Sequence, residues 1–413
     1  MEKLGNYILD IAAGPFGSNL KVECFVPTGF PIIDGANLKS FKVTDNISKF
    51  VTEEKARSLH RSIAQKNDVI VTISGNVGQI SYIPEDSKYE EYLVSQRQFR
   101  VTFDTTRIYV PFLVYYFHTK EGQHKILSFA NQTGVPALAQ PLKNFKNIDV
   151  DFPDIVIQKK IANILESIDD KIENNKQIND NLEQQAQALY KSWFIDFEPF
   201  KDGKFEESEI GLIPEGWYVG KAEDFYEINI GKTPPRKEHE WFTLDKSQNI
   251  WVSISDLGSD GRFLFDSSEY LTDKAIQKHN IVLVPEDTVL LSFKLTIGRV
   301  GIAGTQLTTN EAIARFITNS VNREYTYFLL KNFNYSKLGS TSSIATAVNS
   351  KIIKAMVVLM PCNECLLNFK KLVGPIIDGI KKNEEEILRL TKLRDTLLPK
   401  LMSGELKINE IDC

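Results

Sequence analysis

The chain of 413 residues sets 49 Lys and Arg against 54 Asp and Glu, a formal charge of −5, and is 42% apolar and 10% aromatic. At roughly 150 residues per domain that suggests two or three globular units, and it excludes a wholly disordered or fibrous chain. No run of about 18 uncharged apolar residues and no leader-like start is present, and four cysteines (Cys24, Cys362, Cys365, Cys413) are too few for a disulfide framework, so a soluble cytoplasmic protein without a membrane partner is expected.

Charge is unevenly distributed along the chain. Residues 1 to 150 hold 17 basic and 15 acidic residues, 151 to 213 hold 7 and 14, 214 to 361 hold 16 and 16, and 362 to 413 hold 9 and 9. The excess acidity is confined to the middle segment. Both large blocks could therefore present basic faces to a polyanion, although neither carries a dense Lys/Arg patch.

In chain order, the first block has a short β-branched run, Val69 to Ile73, that reads as a buried strand, and an aromatic-rich stretch, Tyr109 to Thr119, with Pro111 suited to the first turn of a helix. The second block has the matching pair, Thr288 to Phe293 and Tyr325 to Asn332. An internal repeat links the two. Pro136 to Pro153 overlays Ile344 to Pro361 at an offset of 208, matching Lys143 to Lys351, Lys146 to Lys354 and Pro153 to Pro361. Upstream, Asp10 to Gly14 faces Glu227 to Gly231 at 217, Asp68 to Val71 with Gly78 faces Asp287 to Leu291 with Gly298, and Ser95-Gln96 faces Asn310-Glu311. A drifting offset means loops of different length on one repeated framework.

Each block is followed by a helical pattern. Steps of four and three pick out Ile161, Leu165, Ile168, Ile172, Asn175, Asn179, Leu182, Ala186, Leu189 and Trp193; adding 208 gives Phe369, Val373, Ile376, Ile380, Asn383, Ile387, Leu390, Arg394, Leu397 and Leu401. That is a coiled-coil seam in two copies, each predicting a helix of about 33 residues and roughly 50 Å. Pairing the two antiparallel gives a pseudo-two-fold rod with Asn175, Asn179 and Asn383 fixing its register; the alternative is two amphipathic helices each packed on its own block. The expected class is α+β: two similar mixed α/β globular domains separated by an antiparallel coiled coil of two long helices. The expected divisions are 1–153, 154–213 (central helix and linker), 214–361 and 362–413 (C-terminal helix).

No catalytic constellation emerges. Gly231-Lys232-Thr233 resembles the end of a phosphate loop, but its required first glycine is Tyr226. Asp154, Asp169 and Lys171 resemble a nuclease's carboxylates and lysine, yet Asp169 and Lys171 lie between seam positions on what reads as a solvated helix face. Cys362-x-x-Cys365 lacks a second ligand pair, and His60, His118, His124, His239 and His279 show no ligand spacing. The chain is expected to do no chemistry and to hold no metal. Two similar blocks at a fixed separation suit the reading of two places on duplex DNA, whose repeat of about 34–36 Å symmetric dimers already use.

Several strings resemble one family. Pro214-Glu215-Gly216-Trp217 with Gly231-Lys232-Thr233-Pro234-Pro235, Gly14-Pro15-Phe16-Gly17-Ser18, Thr309-Asn310-Glu311-Ala312-Ile313-Ala314, and above all the terminal stretch from Leu393 to Leu406 (LRDTLLPKLMSGEL) resemble a type I restriction-modification specificity subunit with two target-recognition domains. The resemblance spans essentially the whole chain, although nothing like Pro-Glu-Gly-Trp precedes the first block. It implies a non-catalytic DNA-binding subunit that reads a bipartite, asymmetric site. Its implied partners are double-stranded DNA, two modification subunits that use S-adenosylmethionine to methylate adenine, and restriction subunits that use ATP and Mg. The cofactors would sit in those partners and none in this chain.

Base reading needs donors and acceptors on loops held by a scaffold. The candidates in the first block are Phe16, Ser18, Asn19, Lys21, Ser74, Asn76, Gln79, Gln96 and Arg97. Those in the second are Lys232, Thr233, Arg236, Lys294, Arg299, Asn310 and Arg315. Ser74 and Asn76 could instead merely build a turn, and Arg315 could merely pair with Glu311 on a helix. Two other readings compete with the DNA-reading adaptor, an enzyme with an unfamiliar site and a coiled-coil scaffold that binds protein only.

Overall fold

Short β-branched and aromatic runs separated by glycine and polar turns form the sheets of both halves of the chain. The computed structural model describes residues 1–131, 135–258, 261–318, 321–338 and 348–407; positions 344–347 of the repeat overlay and the end of the chain, with Cys413, lie outside them. The chain divides into two compact units, Met1–Lys171 together with the chain from Leu390, and Ile172–Arg389. The division cuts through both long helices, Ile155–Phe194 and Asn363–Ser403.

In the first unit the central sheet is antiparallel, ordered Ile8–Ala13, Gln98–Phe103, Val69–Thr72, Ile80–Tyr82. Val69, Ile70 and Val71 are fully buried, as a run apolar on both faces requires. A second sheet of five short strands is ordered Phe25–Val26, Phe50–Val51, Phe30–Ile33, Glu91–Val94, Ile63–Gln65. The helix Val110–His118 carries a proline in its first turn and is buried through Phe117.

The second unit repeats this plan. Its larger sheet runs Glu227–Ile230, Ile313–Ile317, Val289–Ser292, Val300–Ala303, with an extra edge strand Phe263–Leu264. Register is conserved between the copies: Val69 faces Tyr82 as Val289 faces Ile302, and Phe99 faces Ala13 as Ala314 faces Ile230. Even the left-handed residues repeat, with Asn67 (φ 67°) and Gly78 (φ 92°) answered 220 residues on by Asp287 (φ 66°) and Gly298 (φ 91°). Glu2–Lys3 pairs with Asp149–Val150 as Tyr218–Lys221 pairs with Val357–Met360, so the first unit forms this strand pair without a Pro-Glu-Gly-Trp string.

The long helices run antiparallel within each unit. In the second unit Asn383 Nδ2 donates to Asn179 Oδ1 at 2.8 Å and Asn175 Nδ2 to Glu386 Oε2 at 2.8 Å. Ile172, Asn175, Val373 and Ile380 are buried there, while Leu182, Leu189, Ile376, Asn383 and Ile387 are half-buried. In the first unit Ile161, Leu165 and Ile168 are buried and Leu390 and Leu397 half-buried, and Arg394 Nη1 meets Asp169 Oδ1 at 2.8 Å. The helices also enter the globular cores. Ile161, Leu165, Leu398 and Leu401 share a cluster with Val69 and Phe112, and Tyr190, Phe194 and Phe369 share one with Trp217 and Tyr325. A mutual seam and docking on the blocks thus coexist. One expectation is corrected: Asp169 is not on a solvated face, because Tyr115 Oη and Arg394 both donate to its carboxylate and leave its side chain 16% exposed.

Candidate nucleic-acid interface

Three loops meet at one end of the central sheet in each unit. In the first they follow the strand Ile8–Ala13 (14–19), follow Val69–Thr72 (73–79), and precede Gln98–Phe103 (95–97). Gly14 N–H donates to Gln98 O at 2.8 Å and Ile73 N–H to Arg97 O at 2.7 Å. A Cβ on Gly14 would stand 1.9 Å from Ser95 O, so only glycine lets the first loop lie against the third. The second unit is built the same way: Gly231 N–H donates to Ile313 O at 3.2 Å, Phe293 N–H to Ala312 O at 3.0 Å, and a Cβ on Gly231 would stand 2.1 Å from Asn310 O.

The first-unit candidates gather on these loops. Two adjoining concavities of about 550 and 1100 Å³ share Ser74, Gln96 and Arg97 in their walls; Asn76 and Gln79 line the smaller, Phe16 and Asn19 the larger. Phe16 is 83% exposed, Ser18 and Asn19 are exposed on the same loop, and Lys21 is exposed just beyond it. Asn76, Gln96 and Arg97 point to solvent, whereas Gln79 is held, accepting from Thr72 Oγ1 at 3.2 Å and donating to Gly35 O at 3.4 Å. Ser74 bridges to Ala137 in the turn. Among the described residues Lys21 and Arg97 make no ion pair, and neither does Arg61, which lines the larger concavity with His60. His60 and Arg61 carry no motif in the sequence; the fold brings them to the first loop across about 45 residues.

In the second unit Lys232 Nζ donates to the carbonyls of His279 and Asn280 at 3.3 and 3.0 Å, and the Thr233 hydroxyl donates to Glu311. Arg236 forms a two-pronged pair with Glu269, both bonds 2.8 Å, and lies over the rings of Phe242 and Trp251 at 4.2 and 4.7 Å; the hydrogen bonds to Glu269 raise its pKa despite partial burial. Lys294 is exposed beside the Phe293 ring and makes no ion pair among the described residues. Arg299 Nη1 donates to Ile254 O at 2.7 Å, and Asn310 Oδ1 accepts from Ala312 N–H.

Arg315 departs from this pattern. It lies in the strand Ile313–Ile317, not on a helix, and its side chain makes no pair with Glu311: the guanidinium donates to Ile230 O at 3.0 Å and Val282 O at 3.3 Å, with the residue 4% exposed. Burial lowers its pKa. Its counterpart Arg100 occupies the same place in the first sheet, with Nη2 on Asp10 Oδ2 at 2.6 Å, and that pair lowers the pKa of Asp10. Among the described residues no group of three or more His, Cys, Asp or Glu converges as metal ligands. What the first unit's loops offer is carboxamides, hydroxyls and cations on a concave surface, the groups that hydrogen-bond base edges and phosphates.

Comparison with known proteins matches residues 25–184 and 214–362, well over half of the chain, to the type I restriction modification DNA specificity domain. Among similar proteins, the type I restriction enzyme MjaIX specificity subunit of Methanocaldococcus jannaschii is 27% identical over 372 residues, covering 87% of this chain and 82% of its own length. The HindI specificity subunit of Haemophilus influenzae is 25% identical over 394 residues, covering 80% and 84%. A crystal structure of a type I restriction-modification S subunit from M. genitalium superposes with a TM-score of 0.57 at 16% identity over 97% of this chain and 95% of that one, a likeness of fold.

Proposed function

Since this chain belongs to the type I restriction modification DNA specificity family, as the DNA sequence-recognition, non-catalytic subunit of such a system, we propose that each of its three-loop faces reads one half of a bipartite, asymmetric DNA site. The supporting observation is the repetition of one loop scaffold with different side chains. Gly14 and Gly231 seat their loops identically, yet the surfaces built on them present Asn76, Gln96 and Arg97 in one unit and Lys294, Arg236 and Arg299 in the other. Equal scaffolds with unequal side chains read unequal half-sites.

In this reading fourteen of the sixteen candidate residues form the reading faces and two support them. Phe16, Ser18, Asn19, Lys21, Ser74, Asn76, Gln96 and Arg97 face the first half-site; Lys232, Thr233, Arg236, Lys294, Arg299 and Asn310 face the second. Gln79 and Arg315 support from below, Arg315 through its two carbonyl partners. Two modification subunits that bind S-adenosylmethionine, and restriction subunits that use ATP and Mg, complete the assembly in the cytoplasm. Among the described residues no helix is long and apolar enough to cross a membrane. We also propose the functional division 1–153, 154–213, 214–361 and 362–413 suggested by the repeat. The test is to exchange residues 214–361 for the matching block of a relative and map the methylated sites of the assembled enzyme. One half of the recognised sequence should change; a change in both halves, or in neither, would sink the reading.

A further inference from the structure

Leu295 carries two unfavourable features that nothing among the described residues of its unit offsets. Its side chain is wholly exposed, at 102%, and its backbone is left-handed at φ 60°, where the Cβ of leucine crowds the following carbonyl oxygen. In the first unit the same turn position, 220 residues earlier, is Gly75 at φ 90°, for which this conformation is free of strain. The turn is firmly built all the same. Ser292 Oγ donates to Thr296 O at 2.6 Å and accepts from Arg299 N–H at 3.0 Å, while Gly298 N–H donates to Ser292 O at 3.0 Å. Leu295 is therefore presented, fixed in place, between exposed Lys294 and Thr296. Phe293 N–H ties the same turn to the loop of Asn310 through Ala312 O.

A non-glycine residue held in the left-handed region by a rigid turn is typical of ligand-contact sites, and here it carries an exposed apolar side chain. On the major-groove edge of DNA the one apolar group is the C5-methyl of thymine. We propose that Leu295 makes an apolar contact with a thymine methyl group in the half-site read by the second unit, with Lys294 beside it on a phosphate or guanine edge. The proposal rests on the reading of the three-loop face as the DNA surface, and identifies one base class that the face selects.

The experiment uses the chain assembled with its modification subunits and a duplex carrying its mapped site. Each thymine of the second half-site is replaced in turn by deoxyuridine, which lacks only the methyl group, and DNA affinity is measured for the wild type and for Leu295→Gly. One replacement should weaken the wild type about fourfold, the worth of one buried methyl group, and leave Leu295→Gly unchanged. Leu295→Gly should also melt no lower than the wild type, since glycine relieves the turn. No sensitive thymine, equal losses in both proteins, or a second half-site without an A·T pair overturns the proposal. Failure here with a successful block exchange discards the leucine contact alone, whereas a failed block exchange discards the DNA face itself.

Discussion

Gly14 and Gly231, 217 residues apart, answer one steric demand: each lets a loop lie against a tight turn whose carbonyl would stand about 2 Å from any Cβ. Gly231→Ala should therefore push that loop off the Asn310 turn. We expect destabilisation of about 1–3 kcal/mol in thermal melting, and loss of selectivity in the second half-site with the first intact when methylated sites are mapped. An unshifted melting point with both half-sites retained would contradict the argument. The motif strings around both glycines were legible in the sequence because short polar loops carry their own signature. Arg315 was not, since a lone arginine two residues beyond such a turn looks alike on a helix or a strand, and only the pairing of Ile313–Ile317 between two neighbours buries it. Asp169 is the same lesson: its spacing put it beside the seam, but Tyr115 and Arg394, which engage it, arrive from 54 residues before and 225 after.

At the scale of elements, the heptad pattern foretold both long helices, and the seam asparagines found partners across it. Asn179 is 1% exposed; its Oδ1 accepts from Asn383 Nδ2 at 2.8 Å and its Nδ2 donates to Ile380 O at 3.5 Å, so its carboxamide is satisfied across the seam among apolar Ile172, Val373 and Ile380. Replacing Asn179 alone by leucine leaves the Asn383 carboxamide short of a partner and should cost about 1–3 kcal/mol in denaturant unfolding. Asn179→Leu with Asn383→Leu should recover that loss and relax the register instead, since a buried asparagine pair favours one alignment. A double variant as unstable as the sum of the two single ones would refute this account. What the seam did not disclose is that its ends are parts of globular cores. Tyr190 and Phe194 pack on Tyr325, with Phe194 4.8 Å from it ring to ring, and a hydrophobic period looks the same whether a helix or a sheet covers it.

For the whole molecule, charge sets the expectation. With a net charge of −5 and no dense basic patch, the chain alone should bind DNA weakly, and the affinity should fall steeply between 50 and 200 mM salt, as phosphate contacts release counterions. Modification subunits should add both tightness and selectivity, as read by fluorescence anisotropy with specific and scrambled duplexes; tight, selective binding without them would overturn the partner-assisted view. The amino-acid order alone determined the repeat, the drift of its offset from 217 to 220 to 215 to 208, the mixed α/β class, the two helices and the loops on which the candidate residues lie, because these rest on local periodicity and on motifs a few residues long. Tertiary structure decided which residues meet. His60 and Arg61 joined the first loop, the end of the last helix joined the first unit, and Leu295 was left bare on its turn, because burial and pairing between distant segments depend on how strands and helices stack, which no local pattern encodes.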